Sequence, residues 1–323
     1  MIINFDIRHC TTTHFERAEF YPTSVALPPY QWVSGCRGAH VANNGTMTTA
    51  PFSPSLPLND GRSIPQLGLG VYKVENTLAA QLVEGAIDSG YRHIDTASLY
   101  ANEAGVGAGV AAAGVAREEL FITTKVWNDD QGYEQTLKAF DTSLELLGMD
   151  YVDLYLIHWP AASRGLYLET WRALEKLHAD GVARSIGVSN FTTAHLTTLL
   201  ADSPTVPVIN QVELHPWLPQ TDLRAFDAEH NILTQAWSPL ARGRIAGNTL
   251  LDEIGAKHGK SAAQVVLRWH IELGNVVIPK SVTPSRIREN LDVFDFTLDA
   301  ADHATIRALD AGERTGKDPD DLD

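Results

Sequence analysis

At 323 residues, with 44% hydrophobic and 20% charged side chains, the chain is long enough to bury a large core as one α/β domain or two ordinary ones. Its 25 basic against 40 acidic residues, a net charge of −15, exclude a broad nucleic-acid or anionic-membrane footprint, which needs clustered Lys and Arg. No apolar run approaches the ~20 residues of a membrane helix, although one local basic pocket for a phosphate stays open.

In chain order, residues 1–46 come first. They hold both cysteines, Cys10 and Cys36, so neither a disulfide framework nor a thiolate metal site is expected in the rest of the chain. Arg8, Arg17 and Arg37 balance Asp6, Glu16 and Glu19, so the remainder carries the whole −15. The segment mixes "TTTH", "LPPY" and "VANNGT" without helical or strand period, and it lacks the charged start and apolar run of a secretory signal. It is expected to be a disordered extension or the product of a non-native start, with Met47 as the working initiator; an ordered arm or leader is the alternative. Residues 47–323 are expected to form one domain, with the cytoplasm as the default compartment.

"LNDGRSIPQLGLG" reads as a short hairpin around Asp60-Gly61. Beyond it apolar runs alternate with amphipathic stretches. The runs predict strands at Leu67–Val71, Arg92–Asp95, Leu120–Lys125, Val152–His158, Ala183–Val188, Val208–Val212, Leu233–Trp237 and Val276–Pro279. "NTLAAQLVEGAIDSG", "GYEQTLKAFDTSLELLG", "YLETWRALEKLHADG" and "KSAAQVVLRWHIELG" carry apolar residues at three- and four-residue spacing, with a Gly near each end for a left-handed cap. Eight strand–helix units without a linker favour a single (β/α)8 TIM barrel of the α/β class, preceded by the β-hairpin, over an open sheet. A Rossmann fold would want G-x-G-x-x-G after its first strand. "AGVGAGVAAAG" has the wrong spacing and reads as a small-residue helix.

In such barrels the C-terminal strand ends share one open face. Here they carry Asp95 followed by Tyr100, Lys125, His158, Ser189-Asn190, Gln211, Trp237-Ser238 and Lys280-Ser281. Singly, Asp95 reads equally as a helix cap, Lys125 as a solvated lysine and His158 as a satisfied barrel histidine. Jointly, Asp95, Tyr100, Lys125 and His158 make sense as a carbonyl-reducing site. A phenol of pKa ~10 is a sluggish acid at neutral pH. A nearby ammonium is expected to lower that pKa, a carboxylate to hold the ammonium, and a histidine to donate a hydrogen bond to the carbonyl oxygen.

At this point the sequence resembles the aldo-keto reductase family, most nearly its bacterial 2,5-diketo-D-gluconate reductase branch. "GYRHIDTASLYANE", "FITTKVW", "DYVDLYLIHWP", "GVSNF", "NQVELHP", "IPKSVTPSRIREN" and "VWNDDQGYEQTLKAFDTSLELLG" carry the likeness, which runs from about Leu56 to Phe296. The glycine-rich "YANEAGVGAGVAAAG" departs from the family's larger helix formers and is expected to soften the second helix.

The resemblance implies an NADPH-dependent reductase of aldehydes or ketones, including keto-sugar acids, with Tyr100 as proton donor, Lys125 and Asp95 as its tuning pair and His158 orienting the carbonyl. It further implies that Ser189, Asn190 and Gln211 bond the nicotinamide carboxamide and that Trp237 stacks on the ring. Ser238, Leu240 and Val282 join the cofactor set. Lys280, Ser281, Thr283 and Arg286 combine two cations and two hydroxyls at a helix start, which suits the 2′-phosphate of NADP, although a capped helix with exposed basic residues would read the same. Glu289 and Asn290 are implied near the adenine. Tyr72, Trp127 and Trp159 are implied to wall the substrate pocket, rim packing being the other reading, and the acidic tail "GERTGKDPDDLD" to touch its mouth. Trp171 and Trp217 read as structural. No metal is expected, and the partner is a small-molecule carbonyl compound, with the chain a monomer. A cofactor-bound regulatory or structural barrel is the competing class; it has no use for Tyr100.

Overall fold

A computed structural model describes residues 53–322, so the expected extension over 1–46 lies outside the described residues. The hairpin forms as read: β1 (Ser55–Pro57) and β2 (Ser63–Pro65) pair antiparallel about the Asp60-Gly61 turn. Alternating units follow: β3 (Leu69–Gly70), α1 (Asn76–Asp88), β4 (His93–Asp95), α2 (Glu103–Ala112), β5 (Phe121–Val126), α3 (Tyr133–Leu147), β6 (Val152–Ile157) and α4 (Tyr167–Ala179). The chain continues through β7 (Ala183–Ser189), α5 (Thr193–Asp202), β8 (Ile209–Glu213), α6 (Thr221–Glu229), β9 (Leu233–Trp237), α7 (Thr249–His258), α8 (Ala262–Glu272), β10 (Val276–Val277), α9 (Pro284–Leu291) and α10 (Ala300–Arg307).

β3 to β10 form one parallel eight-stranded sheet in sequence order. It closes into a barrel where Leu67 bridges Val277 and the Gly70 N–H donates to Pro279 O at 3.2 Å. The first and eighth strands are shorter than their apolar runs, two residues each. These runs meet at the closing seam, where the remaining hydrogen bonds, such as Val277 N to Gln66 O at 2.8 Å, fall outside regular ladders.

Helix faces follow the sequence period. α3 buries Thr136, Phe140, Ser143 and Leu147, spaced four, three and four apart, and Gly148 ends it in the left-handed region at φ 63°. α8 starts on a Ser261–Gln264 capping box. The hairpin packs against the strands: Leu58 and Ile64 form one apolar cluster with Phe121, Leu154, Leu156 and Ile209. Burying a side chain such as Ile64 contributes about 2 kcal/mol. The C-terminal strand ends remain as the open face.

The glycine-rich second helix forms over ten residues and buries Glu103, Gly105, Val106, Gly107, Gly109 and Val110. Its glycines admit neighbouring backbone. A Cβ on Gly107 would lie 2.1 Å from the Leu147 carbonyl oxygen of α3, and one on Gly105 would lie 2.2 Å from Asn76 O of α1. Tertiary contact therefore outweighs the weak helix propensity of glycine. Gly107→Ala is expected to cost about 3 kcal/mol by overpacking rigid backbone, read as a lower urea midpoint at unchanged slope.

Candidate active site

The site is built on a buried ion pair. All six residues of β5 are buried, including Lys125 at 0% exposure. Its Nζ donates to Asp95 Oδ1 at 2.6 Å and to Thr96 O at 2.7 Å, while Asp95 Oδ2 accepts from Gln211 Nε2 at 2.7 Å. This excludes the solvated-lysine reading. Burial pulls the ammonium's pKa down, against the opposing pull of Asp95. A buried ion pair is weak evidence for stability, because well-packed apolar residues would serve as well. A charged pair at an open strand-end face is instead the mark of a functional site.

Tyr100 closes a 3-10 turn, Ser98–Tyr100, that links β4 to α2. The turn is pinned from both sides. Ser98 Oγ donates to Lys125 O at 3.0 Å, and Asn102 Nδ2 donates to Val71 O and Val74 O, each at 2.9 Å. Thr96 Oγ1 also donates to Asn102 Oδ1 at 2.7 Å. The Tyr100 ring consequently sits with its centroid 5.3 Å from Lys125 Nζ, 5.6 Å from the His158 ring and 5.0 Å from the Tyr72 ring.

The expected lowering of the phenol's pKa by Lys125 does not occur. Burial above all, then the carboxylate of Asp95 and the phenol of Tyr72, holds Tyr100 well above its ordinary value. The physical reason is that desolvation of the enclosed ring dominates, and the Asp95 carboxylate that holds Lys125 acts on the phenol in the same raising direction. His158 lies at the end of β6, edge-on to Trp127 at 5.1 Å. Burial, then the Lys125 cation, holds its pKa well below the usual range, so the ring is neutral at pH 7. Its Nδ1 is buried without a partner among the described residues, which removes the satisfied-histidine reading. Glu103, placed by α2 behind this group, accepts from Thr124 Oγ1 at 2.6 Å.

A cavity of about 290 Å³ opens above these groups. Of the residues singled out from sequence, Tyr72, Asp95, Tyr100, Trp127, His158, Trp159, Ser189, Asn190, Gln211, Trp237, Ser238 and Lys280 line it. Lys125 lies beneath them. Asn190, in the left-handed region at φ 63°, donates through Nδ2 to His158 O at 2.9 Å and accepts through Oδ1 from Trp237 Nε1 at 2.8 Å. It thereby ties β6 to β9 across the mouth.

Leu240, Ser281, Val282, Thr283, Arg286, Glu289 and Asn290 lie outside the cavity wall. Leu240 and Val282 pack half-buried on the apolar core. Thr283 precedes α9 with its hydroxyl unused as a cap, and Arg286 is exposed in the first turn. Glu289 accepts from Ser261 Oγ at 2.5 Å, and Asn290 is only 4% exposed.

Sequence reasoning missed Gly70, Leu99, Arg242 and Ile278, which also line the cavity, and gave the tail as a stretch without singling out Lys317 and Leu322. Arg242 sits in a turn after β9 at φ 52°, and no local pattern marks it. The tail does reach the mouth, through Lys317 and Leu322. Trp171 is fully buried and Trp217 is 6% exposed, as structural residues are. Among the described residues no group of His, Cys, Asp and Glu is placed to hold a metal, and no helix is long and apolar enough to cross a membrane.

Comparison with known proteins places the chain. The family model described as "Aldo/keto reductase family" matches residues 66–311. The glyoxal reductase of Bacillus subtilis strain 168 is 54% identical over 269 residues, covering 83% of this chain and 97% of that protein. The crystal structure of an aldo/keto reductase from Brucella melitensis superposes with a TM-score of 0.78 at 57% identity, covering 80% of this chain and all of the other. That of a Bombyx mori aldo-keto reductase in complex with NADP superposes at 0.79 with 39% identity, covering 84% and 98%.

Proposed function

The chain belongs to the aldo/keto reductase family, and from that premise we propose that Tyr100, Lys125, Asp95 and His158 carry its carbonyl chemistry. The protein is an NADP-dependent oxidoreductase acting on carbonyl groups. NADPH, when bound, supplies the hydride. The chain's own residues supply the rest. Neutral His158 donates an N–H to the carbonyl oxygen, fixing and polarising it. Tyr100 holds the proton that this oxygen takes up, and Lys125, kept in place by Asp95, lies against the ring where negative charge appears as the proton leaves. The observation that carries this reading is the fully buried Lys125–Asp95 pair beneath Tyr100, with Nζ 5.3 Å from the ring centroid. A regulatory or structural barrel has no need of that arrangement.

The residues present fit the cofactor. Lys280 on the cavity wall and Arg286 in the first turn of α9 form no ion pair among the described residues, in a protein of net charge −15. With Ser281 and Thr283 they suit a 2′-phosphate, while Ser189, Asn190, Gln211, Trp237 and Ser238 suit the nicotinamide end. Arg286→Ala is expected to raise the Kd for NADPH about tenfold and that for NADH much less, because only NADPH carries the phosphate a charged hydrogen bond would hold. Equal weakening, measured by fluorescence titration, would remove the phosphate assignment.

The proposed substrates are small aldehydes and ketones, keto-sugar acids among them, turned over by a monomer; the relationship to a glyoxal reductase supports the small-aldehyde part. NADPH oxidation against a panel of aldehydes, dicarbonyls and keto acids tests the reading. The absence of turnover across the panel by a protein that binds NADPH would favour the regulatory alternative.

A further inference from the structure

The C-terminal tail does more than end near the cavity. Beyond α10 it is strapped across one side of the mouth. The N–H groups of Ala311 and Glu313 both donate to Trp217 O, at 3.2 and 3.1 Å, and Glu313 pairs with Arg244. The main fastening is Glu213 at the end of β8, whose side chain is 0% exposed. Its Oε1 accepts from Thr315 N at 2.6 Å, from Thr315 Oγ1, from Gly316 N at 3.0 Å and from His215 Nε2 at 3.2 Å. Burial raises the pKa of this carboxyl, but these hydrogen bonds outweigh it and hold the group ionised. Gly316 is pressed between Glu213 and the indole of Trp237: an added Cβ would lie 2.4 Å from Trp237 Cη2 and 3.0 Å from Glu213 Oε2. The next residue, Lys317, therefore has its backbone position set by Glu213 and by Trp237, a wall of the cavity, and Lys317 itself lines the cavity.

Among the residues lining the cavity the charge is the reverse of the molecule's, while the tail beside Lys317 also carries Asp318, Asp320 and Asp321. The charged residues lining the cavity are Asp95, Arg242, Lys280 and Lys317, and Asp95 is already neutralised by Lys125. No described carboxylate pairs with any of the three cations. In a protein with 40 acidic and 25 basic residues, three lining cations without an ion-pair partner among the described residues give the cavity wall a local positive excess that suits an anion. Lys280 is accounted for by the cofactor phosphate. Lys317, carried by the tail next to Gly316 and Trp237, is not.

We propose that Lys317 recognises an anionic group on the substrate, so that the enzyme favours aldehydes and ketones bearing a carboxylate or phosphate, and that Glu213 is the positioning residue that holds Lys317 at the mouth. The inference rests on the carbonyl-reductase reading of the site. Lys317 is solvent-exposed, so its substitution leaves the core intact and its effect is that of a screened pair rather than of a buried one.

The experiment compares kcat/KM for 4-carboxybenzaldehyde with that for uncharged 4-nitrobenzaldehyde, using NADPH and the full chain. The ratio of the two is expected to fall about fivefold in Lys317→Ala, the scale of an exposed ion pair, and roughly twentyfold in Lys317→Glu, where attraction becomes repulsion. In 0.5 M NaCl the wild-type ratio should approach that of Lys317→Ala, since such charges are screened over about 4–5 Å at that ionic strength. Glu213→Gln is expected to lower the ratio as well, and the double variant with Lys317→Ala to fall no further than Lys317→Ala alone. A ratio unmoved by Lys317→Glu overturns the proposal, and additive losses in the double variant overturn the positioning part of it. Wild-type protein that binds NADPH yet reduces neither aldehyde would instead count against the reductase reading itself.

Discussion

Replacing Tyr100 by Phe is expected to lower NADPH-dependent aldehyde turnover by about 10²–10⁴-fold, the range of general acid catalysis, while NADPH binding persists. The ring would stay where it is, because its position comes from the pinned turn around it, through Asn102 and Ser98, and not from its hydroxyl. Only the transferable proton would be lost. The pH dependence provides a second check with a definite sign. Burial, then Asp95 and Tyr72, raise the phenol's pKa above its ordinary value, so Tyr100 keeps its proton until the pH exceeds that raised value. Burial and Lys125 lower the pKa of His158, so the imidazole is already neutral and does not titrate near pH 7. The kcat/KM for reduction should therefore be flat from about pH 6 to 9. Undiminished turnover in Tyr100→Phe would remove the residue from the mechanism.

The second large effect concerns Lys125. Lys125→Met is expected to destabilise the fold by about 3–5 kcal/mol, because it leaves the Asp95 carboxylate, 1% exposed, with Gln211 as its remaining side-chain donor. Adding Asp95→Asn should restore much of that stability, since a neutral amide no longer needs a counter-charge at 2.6 Å. Turnover should stay low in the double variant. That contrast separates the two roles of the pair: the fold can do without the charges, whereas the phenol's chemistry cannot. Urea denaturation and steady-state kinetics on the same three variants measure it. If Lys125→Met unfolded at the wild-type midpoint, the uncompensated-charge argument would fail.

Much of this site is legible once its strand ends are taken together, although each alone reads equally as structure. "HIDTASLYANE", "FITTKVW" and "LYLIHWP" each run from an apolar strand to a polar end, which puts Asp95, Lys125 and His158 on the open face. The sign of Tyr100's pKa shift was not legible. It depends above all on how deeply the ring is buried, which contacts between segments decide. The packing of the second helix was not legible for the same reason: glycine's weak propensity is local, while the Gly107 approach to Leu147 is not.

The sequence by itself therefore determined the class of fold, the order of its strands and the residue types delivered to the open face. Periodicity, caps and strand-end polarity act over a few residues and need no knowledge of the rest of the chain. Only the tertiary structure decided which of those residues meet. Gln211 reaches Asp95 across 116 positions, and Glu213 fastens Thr315 across 102. Such contacts exist because closing the barrel brings β8 opposite β4 and leads the tail back over β8 and β9. Closure is a property of all eight strands together, and no local pattern encodes it.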